Sequence, residues 1–266
     1  MLQNIKVKNE ISLITGSCGH LGKEFANSLA EIGYNLILTD KSKKDLVNLK
    51  KEIEKKFKNK VYIKACNLSS YKSREKLIRF IKIKTNKLNL IVNNAALTGI
   101  KEKSKFDKKR SLKIQTIENF EKHLQVNLTA VFHLTKNLSD QLIKSKKGKV
   151  INIGSIYSLI APKWEIYNNQ KMNNRAGYSA SKGGLLQLTR WFASYLGPKV
   201  RVNMISPGGI LRGHNNKFKK KYNSNTSLER MANLNEINGT LIYLATDLSS
   251  YVTGQNIIVD GGWTTL

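Results

Sequence analysis

Cysteine, proline and acidic residues are all scarce in this chain. Only Cys18 and Cys66 occur among 266 residues, too few for a disulfide framework or a cysteine-built metal centre, so no metal site is expected. That scarcity fits a reducing, cytoplasmic setting. The three prolines, at 162, 198 and 207, each fall near an expected turn, and no Pro- or Gly-rich linker, repeat or low-complexity block divides the chain. One domain over 1–266 is therefore expected. No apolar run reaches the roughly 20 residues of a membrane span, and the N-terminus lacks the basic-then-apolar layout of a secretory signal. Acid is the most depleted class, with 18 Asp+Glu against 46 Lys+Arg. Such a surplus resembles that of a nucleic-acid binder. Its lysines, however, spread over nearly every expected helix and loop beside abundant Asn and Ile, as an A/T-rich coding sequence produces. The reading is a basic, solvated surface with no specific nucleic-acid site and no membrane partner, and with some attraction for anionic substrates.

What is present is an alternation of short apolar runs and longer amphipathic stretches. Strands are predicted at 11–15, 34–40, 61–67, 89–95, 149–155, 200–206 and 255–260. Helices are predicted at 21–32, 43–58, 71–86, 117–145, 177–196 and 235–246. Near-continuous apolar strands alternating with helices imply an α/β fold, a doubly wound parallel sheet of seven strands with helices on both faces. Three segments break the rhythm: 99–115, 161–175 and 210–229. Each leaves the carboxyl end of a strand, where open α/β sheets bind ligands.

Chemistry concentrates at a few positions. After the first strand stands a Gly-rich turn, Thr15-Gly-Ser-Cys-Gly-His-Leu-Gly22. Its backbone can approach a pyrophosphate, and the following helix offers N–H donors and a positive dipole end. Asp40 closes the second strand, where a carboxylate accepts hydrogen bonds from ribose hydroxyls and repels a 2′-phosphate. NAD is thereby favoured over NADP, although Lys41, Lys43 and Lys44 soften the repulsion; Asp40 could instead serve as a helix N-cap. Tyr178 and Lys182 are four residues apart, on one helix face. A neighbouring ammonium favours the phenolate and is expected to pull the Tyr178 pKa down towards neutrality, making it a proton donor or acceptor. Ser155, at the end of the fifth strand, can donate a hydrogen bond to a carbonyl or alkoxide oxygen. Its alternative is a strand-end cap, as a backbone-satisfied buried amide is for Asn127.

Taken in order, Thr15-Gly16…Gly22, Asn93-Asn94-Ala95, Asn127, Ser155, Tyr178…Lys182 and Pro207-Gly208 resemble the short-chain dehydrogenase/reductase family over essentially the whole chain. The resemblance implies a Rossmann-type domain and nicotinamide-dependent hydride transfer, with Asn127, Ser155, Tyr178 and Lys182 as the catalytic tetrad. It also implies that Lys182 holds the nicotinamide ribose and that Asn127 anchors a water relay behind it. The implied cofactor contacts are Gly16, Ser17, Gly19, His20, Leu21, Gly22, Asp40, Asn67, Leu68, Asn94, Ala95, Ala96, Tyr178, Lys182, Pro207, Gly208 and Ile210. The chain departs from the family pattern at His20 in place of a loop glycine and at Asn67 in place of an Asp. Ala96 replaces the glycine of Asn-Ala-Gly, and Arg212 lies near the position of a frequent threonine.

The 23 residues from Ser155 to Tyr178 exceed the usual family spacing. With Ser206-Pro-Gly-Gly-Ile210 and the C-terminal run to Trp263, this layout resembles the branch associated with flagellin modification and surface-glycan sugar synthesis. The extra loop brings Trp164, Tyr167, Lys171 and Arg175. With His214, Lys217, Lys219, Lys220 and Lys221 of 210–229, it is expected to form a lid over an anionic sugar substrate. A 3-oxoacyl-[acyl-carrier-protein] reductase is the alternative of the same class, and a catalytically idle dinucleotide-sensing protein is one of another class. A homo-oligomer, tetramer or dimer, is implied by resemblance, through the helices at 117–145 and 177–196 and a C-terminus whose Trp263 reads as exposed.

Overall fold

In the computed structural model, which describes residues 5–98, 112–167 and 174–266, the apolar runs form one parallel sheet. Its strands are β1 (Ile11–Thr15), β2 (Asn35–Asp40), β3 (Val61–Ala65), β4 (Leu90–Asn93), β5 (Gly148–Ile153), β6 (Val200–Pro207) and β7 (Asn256–Val259). They lie in the order β3-β2-β1-β4-β5-β6-β7, so the winding reverses between β1 and β4. Ile14 sits between Leu38 and Val92 in the ladder. This is the Rossmann-like arrangement expected, with helices on both faces.

Alternation along the strands explains why the runs are apolar throughout. Ile14, Leu36, Leu38, Leu90 and Val92 point into one core with Phe25 and Leu29 of α1 (His20–Glu31), Leu46 and Leu49 of α2 (Lys43–Lys56) and Leu241 of a later helix. Leu13, Ile37 and Ile91, one residue out of phase, enter the other core with Leu77 and Ile81 of α3 (Tyr71–Lys84). Successive side chains of a strand face opposite sides, so both sets must be apolar when both faces are covered.

The long helix expected over 117–145 is broken. It is α4 (Ile117–Leu124), a π-helical turn Gln125–Thr129, α5 (Ala130–Asn137) and α6 (Ser139–Lys144). Leu138 leaves helical geometry at φ −109°, ψ 5°, which separates α5 from α6. The π turn carries Asn127, and such turns recur at functional sites. Helix α7 (Ala176–Leu196) carries Tyr178 and Lys182. A second difference lies in 210–229, where an irregular segment was expected and α8 (Asn216–Asn223) forms. This helix is so lysine-rich that its apolar stripe shrinks to Phe218 and Tyr222, an i, i+4 pair, with Asn215 capping its first turn. The last helix is α9 (Asn238–Ala245), entered through a 3-10 turn at Leu234–Ile237. Trp263, expected at the surface, is fully buried, stacked on Tyr222 at 4.4 Å. Among the described residues no helix is long and apolar enough to cross a membrane.

Candidate active site

Carboxyl ends of β1, β2 and β4 build the first half of the site. Gly16 turns the chain at φ +63°, and a Cβ there would lie 2.7 Å from Ala95 Cα, so only glycine fits. The turn is held from β4. Asn94 donates its amide to the Thr15 and Gly16 carbonyls at 3.0 Å each, and Thr15 Oγ1 accepts the Asn94 and Ala95 N–H groups. Asn94 and Ala95 thus shape the turn from behind. Ser17 is buried and bonds Thr39 O through its N–H and hydroxyl.

Gly19 ends the turn as N-cap of α1, with no side chain capping the helix. A Cβ there would meet nothing nearer than Gly16 O, at 3.4 Å. The protein itself leaves room for a side chain at Gly19, so glycine suits close approach of a ligand to the uncapped first turn, whose N–H groups favour an anion. His20 and Gly19 are exposed, Leu21 is half-buried and Gly22 is buried. Asp40 lies beside this turn, its Oδ2 accepting from Cys18 N at 2.9 Å and its Oδ1 from Lys41 N at 2.7 Å. It does not cap α2; Ser42 does, accepting from Asp45 N. Each Asp40 oxygen keeps a lone pair for a further donor. Asn67 and Ala96 are exposed, whereas Leu68 is buried with its carbonyl held by Arg74. On the far side Pro207 pairs with Val259, Gly208 N–H donates to Val259 O, and Ile210 bridges Ala232. An uncapped helix start, a side-chain-free approach and a carboxylate at the next strand end fit a dinucleotide's pyrophosphate and adenosine ribose.

The second half lies at the ends of β5 and α7. Ser155 is 7 % exposed, and its hydroxyl is one of the groups that act on the Tyr178 phenol. The same hydroxyl accepts from Tyr157 N at 3.2 Å and caps the turn Ile156–Ser158. It is therefore a cap as well as a neighbour of Tyr178. Lys182 is buried, its Nζ donating to Ile153 O at 2.5 Å and lying 5.8 Å from the Tyr178 ring centroid. Burial brings the Lys182 pKa down to about 8. The expected fall in the Tyr178 pKa is not what the structure shows. Burial pushes it above the ordinary tyrosine value, and the Ser155 hydrogen bond and the Arg212 charge oppose that rise without cancelling it. Lys182 turns its ammonium to a strand-end carbonyl, and desolvation of the phenol dominates.

Asn127 is 1 % exposed, and both its amide protons and its amide oxygen are engaged. Oδ1 accepts from Leu97 N at 2.7 Å, while Nδ2 donates to Leu97 O and to Ser181 Oγ at 3.0 Å each. Ser181 precedes Lys182, so Asn127 ties the chain after β4 to the helix carrying Lys182.

The two expected lid segments are fastened to each other. Lys221 donates to Glu165 O at 2.9 Å, and Lys163 donates to Asn225 Oδ1 at 3.0 Å. Tyr167 packs on Phe218, and the Tyr222 hydroxyl accepts from Gly209 N. Lys221 is thus engaged within the protein. Arg175 is buried as the N-cap of α7, and its charge is felt by His123 of α4. Lys171 lies outside the described residues. Tyr157 and Asn174 were not singled out from sequence, yet Tyr157 bonds Tyr167 hydroxyl to hydroxyl at 2.5 Å and Asn174 Oδ1 accepts from Ser179 Oγ at 3.0 Å.

A Rossmann-type sheet that gathers a Ser, a Tyr and a Lys beside a dinucleotide cradle defines a nicotinamide-dependent oxidoreductase class. A family model described as enoyl-(acyl carrier protein) reductase matches residues 19–264. Post-translational flagellin modification protein A of Campylobacter coli is 31% identical, the match covering 97% of this chain and 99% of that one. The 3-oxoacyl-[acyl-carrier-protein] reductase of Aquifex aeolicus is 30% identical over 97% and 98%. Among solved structures, a gluconate 5-dehydrogenase from Burkholderia cenocepacia in complex with NADP and tartrate superposes with TM-score 0.85, at 22% identity and covering 100% of this chain and 99% of that one. The chain belongs to the short-chain dehydrogenase/reductase family of oxidoreductases.

Proposed function

We propose that the protein transfers hydride between NAD(H) and a secondary alcohol or ketone of a sugar or nucleotide-sugar, in the synthesis of a surface glycan or modified flagellin. The observation that carries this is the convergence of Ser155, Tyr178 and Lys182 where β5 meets α7, with Trp164 and Tyr167 of the insertion lying between them in the chain. A bound nicotinamide dinucleotide supplies the hydride acceptor or donor. The pyrophosphate would be held by Gly16, Gly19 and the first turn of α1, and the adenosine ribose by Asp40, whose carboxylate would disfavour a 2′-phosphate.

Ser155 donates its hydroxyl proton to the substrate oxygen, since its oxygen already accepts from Tyr157 N. Tyr178, whose phenol feels the Ser155 hydroxyl, moves the proton of that oxygen. Lys182 has one N–H on Ile153 O and two left for the nicotinamide ribose and the phenol side of the site. Asn127 is a positioning residue, acting through Ser181 and Leu97. The likeness to the Campylobacter flagellin-modification protein supports the sugar reading, and ring faces at Trp164 and Tyr167 suit a sugar's apolar face.

A 3-oxoacyl-[acyl-carrier-protein] reductase is the second reading, favoured by the Aquifex relative at 30% identity and by a basic surface that suits an acidic carrier. The two are separated by measuring kcat/KM for a nucleotide-sugar and sugar-phosphate panel against an acetoacetyl thioester, each with NAD(H) and NADP(H). NAD(H)-dependent turnover of a sugar supports the first reading; NADPH-dependent reduction of the thioester alone overturns it. We further propose a homo-oligomer. Trp191 and Tyr195 on α7 stack at 4.9 Å while 48% and 72% exposed, next to a partly exposed Phe132; such a patch suits a self-complementary interface.

A further inference from the structure

The strand order gives a dinucleotide a third contact point beyond the Gly-rich turn and Asp40. From the uncapped start of α1, which follows β1, the sheet continues through β2 to β3 at its edge. Asp40 closes β2 and pairs with Ala65 at the end of β3, and Asp40 O accepts from Cys66 N at 2.8 Å. Neighbouring strands lie about 4.8 Å apart, so the chain leaving β3 stands one strand beyond the carboxylate assigned to the ribose. Its next residue, Asn67, is exposed. With the pyrophosphate over β1 and the ribose at β2, the base is the part of the ligand that reaches β3.

Asn67 is locked through nearly all of its polar groups. Its N–H donates to Ser73 Oγ at 3.0 Å, and its carbonyl accepts from Ser70 N at 3.0 Å. Oδ1 accepts twice from Ser69, from N at 3.2 Å and from Oγ at 2.9 Å. A backbone N–H can only donate, so the amide atom facing Ser69 N is the oxygen. Both lone pairs of Oδ1 are then filled. What remains is the pair of Nδ2 protons, which have no partner among the described residues. Leu68 is held as well, its carbonyl accepting from Arg74 Nη1 at 2.6 Å. The Asn67 side chain therefore meets a ligand as a donor, on a fixed frame.

Resting on the nicotinamide-dinucleotide reading above, we infer that Asn67 is a specificity-determining residue for the purine, its amide donating to the six-position of the base and favouring a six-oxo over a six-amino purine. The six-position lies on the edge of the base farthest from the ribose, the edge that a residue on the outermost strand meets. Adenine carries N–H donors there, which would face the Asn67 donors and leave both sets unsatisfied. Hypoxanthine carries a carbonyl oxygen there, which accepts them. An aspartate at 67 reverses the polarity at constant shape: one oxygen stays on Ser69 and the other turns outward as an acceptor.

The test is the ratio of Kd values for NAD and nicotinamide hypoxanthine dinucleotide, measured by titration calorimetry on the intact protein without substrate. The wild type is expected to bind the hypoxanthine dinucleotide roughly 3- to 10-fold tighter, the range of one hydrogen bond. Asn67→Asp is expected to invert the ratio to a similar preference for NAD. Its added negative charge weakens both dinucleotides alike, so the ratio is read rather than either constant. A wild type that binds the two equally, or NAD more tightly, overturns the inference. So does an Asn67→Asp protein that binds both and keeps the wild-type ratio, since the base then does not meet this side chain. If the variant binds neither, the wild-type ratio decides alone. Binding of neither by the wild type overturns the cofactor reading together with the inference, whereas binding of both in the wrong order counts against Asn67 alone.

Discussion

Lys182 is the residue whose ionisation the fold perturbs most usefully. Its folded pKa of about 8 lies below the ordinary lysine value, so between about pH 8 and 10.5 the unfolded chain binds more protons than the folded one. Stability contributed by this residue therefore rises with pH across that window. Lys182→Met should flatten the rise, measured as the difference in denaturant midpoint between the variants at several pH values; an unchanged slope would place the lysine in contact with water. Tyr178 works in the opposite sense, because its raised pKa removes stability only above about pH 10. On the proposed reading Asp40 sets the cofactor choice. Asp40→Ser should shift the kcat/KM ratio towards NADP, since the repelling carboxylate goes while Lys41, Lys43 and Lys44 stay. A wild type that prefers NADP(H) would contradict that assignment. Both residues were legible in the sequence, Asp40 from its strand-end position and Lys182 from its spacing. The direction of the Tyr178 shift was not, because spacing reports proximity and says nothing about desolvation.

At the scale of elements, period and burial agree wherever an element packs on the sheet. Every strand lies within its expected run, give or take one residue, because strands covered on both faces must be apolar throughout. Helices α1, α2, α3 and α7 start within a residue of expectation for the same reason. Failures occur where packing is not on the sheet. Helix α8 hides behind its lysines, since only Phe218 and Tyr222 are buried, and the π turn at Asn127 leaves the 3.6-residue pattern unmarked. Trp263 read as exposed because the element covering it, α8, was not itself foreseen. Truncating this layer should be felt at once: Trp263→Ala is expected to cost about 3–5 kcal/mol of stability, as for large buried aromatics. Phe218→Ala should release the 161–175 loop from α8 and raise KM for substrate more than for NAD, because the cradle at Gly19 lies on other elements. Equal increases in the two constants would show that the loop and α8 do not serve substrate.

For the whole molecule, the winding reverses between β1 and β4, the place where open α/β sheets bind ligands, and the proposed site is laid out around it. On the proposed reading the cofactor half is assembled from β1, β2 and β4 and the proton-transfer half from β5 and α7, while Asn127 bonds both Leu97 and Ser181. The surplus of positive charge, +28 in all, belongs mostly to the surface; among the described residues Arg74, Lys149, Arg175 and Lys182 are buried exceptions. The exposed Trp191–Tyr195 stack predicts assembly, and Trp191→Glu with Tyr195→Glu should reduce the mass in solution scattering at micromolar concentration. A wild type that is already monomeric there would refute it. The central claim is that Tyr178 carries the proton in a nicotinamide-dependent reaction, and single-turnover change in reduced-nicotinamide absorbance, wild type against Tyr178→Phe, tests it most directly. With a substrate found by the panel and both proteins saturated with cofactor, the variant should lose roughly 10²–10⁴ in rate while its NAD affinity holds. A folded Tyr178→Phe protein turning over at the wild-type rate would contradict the account.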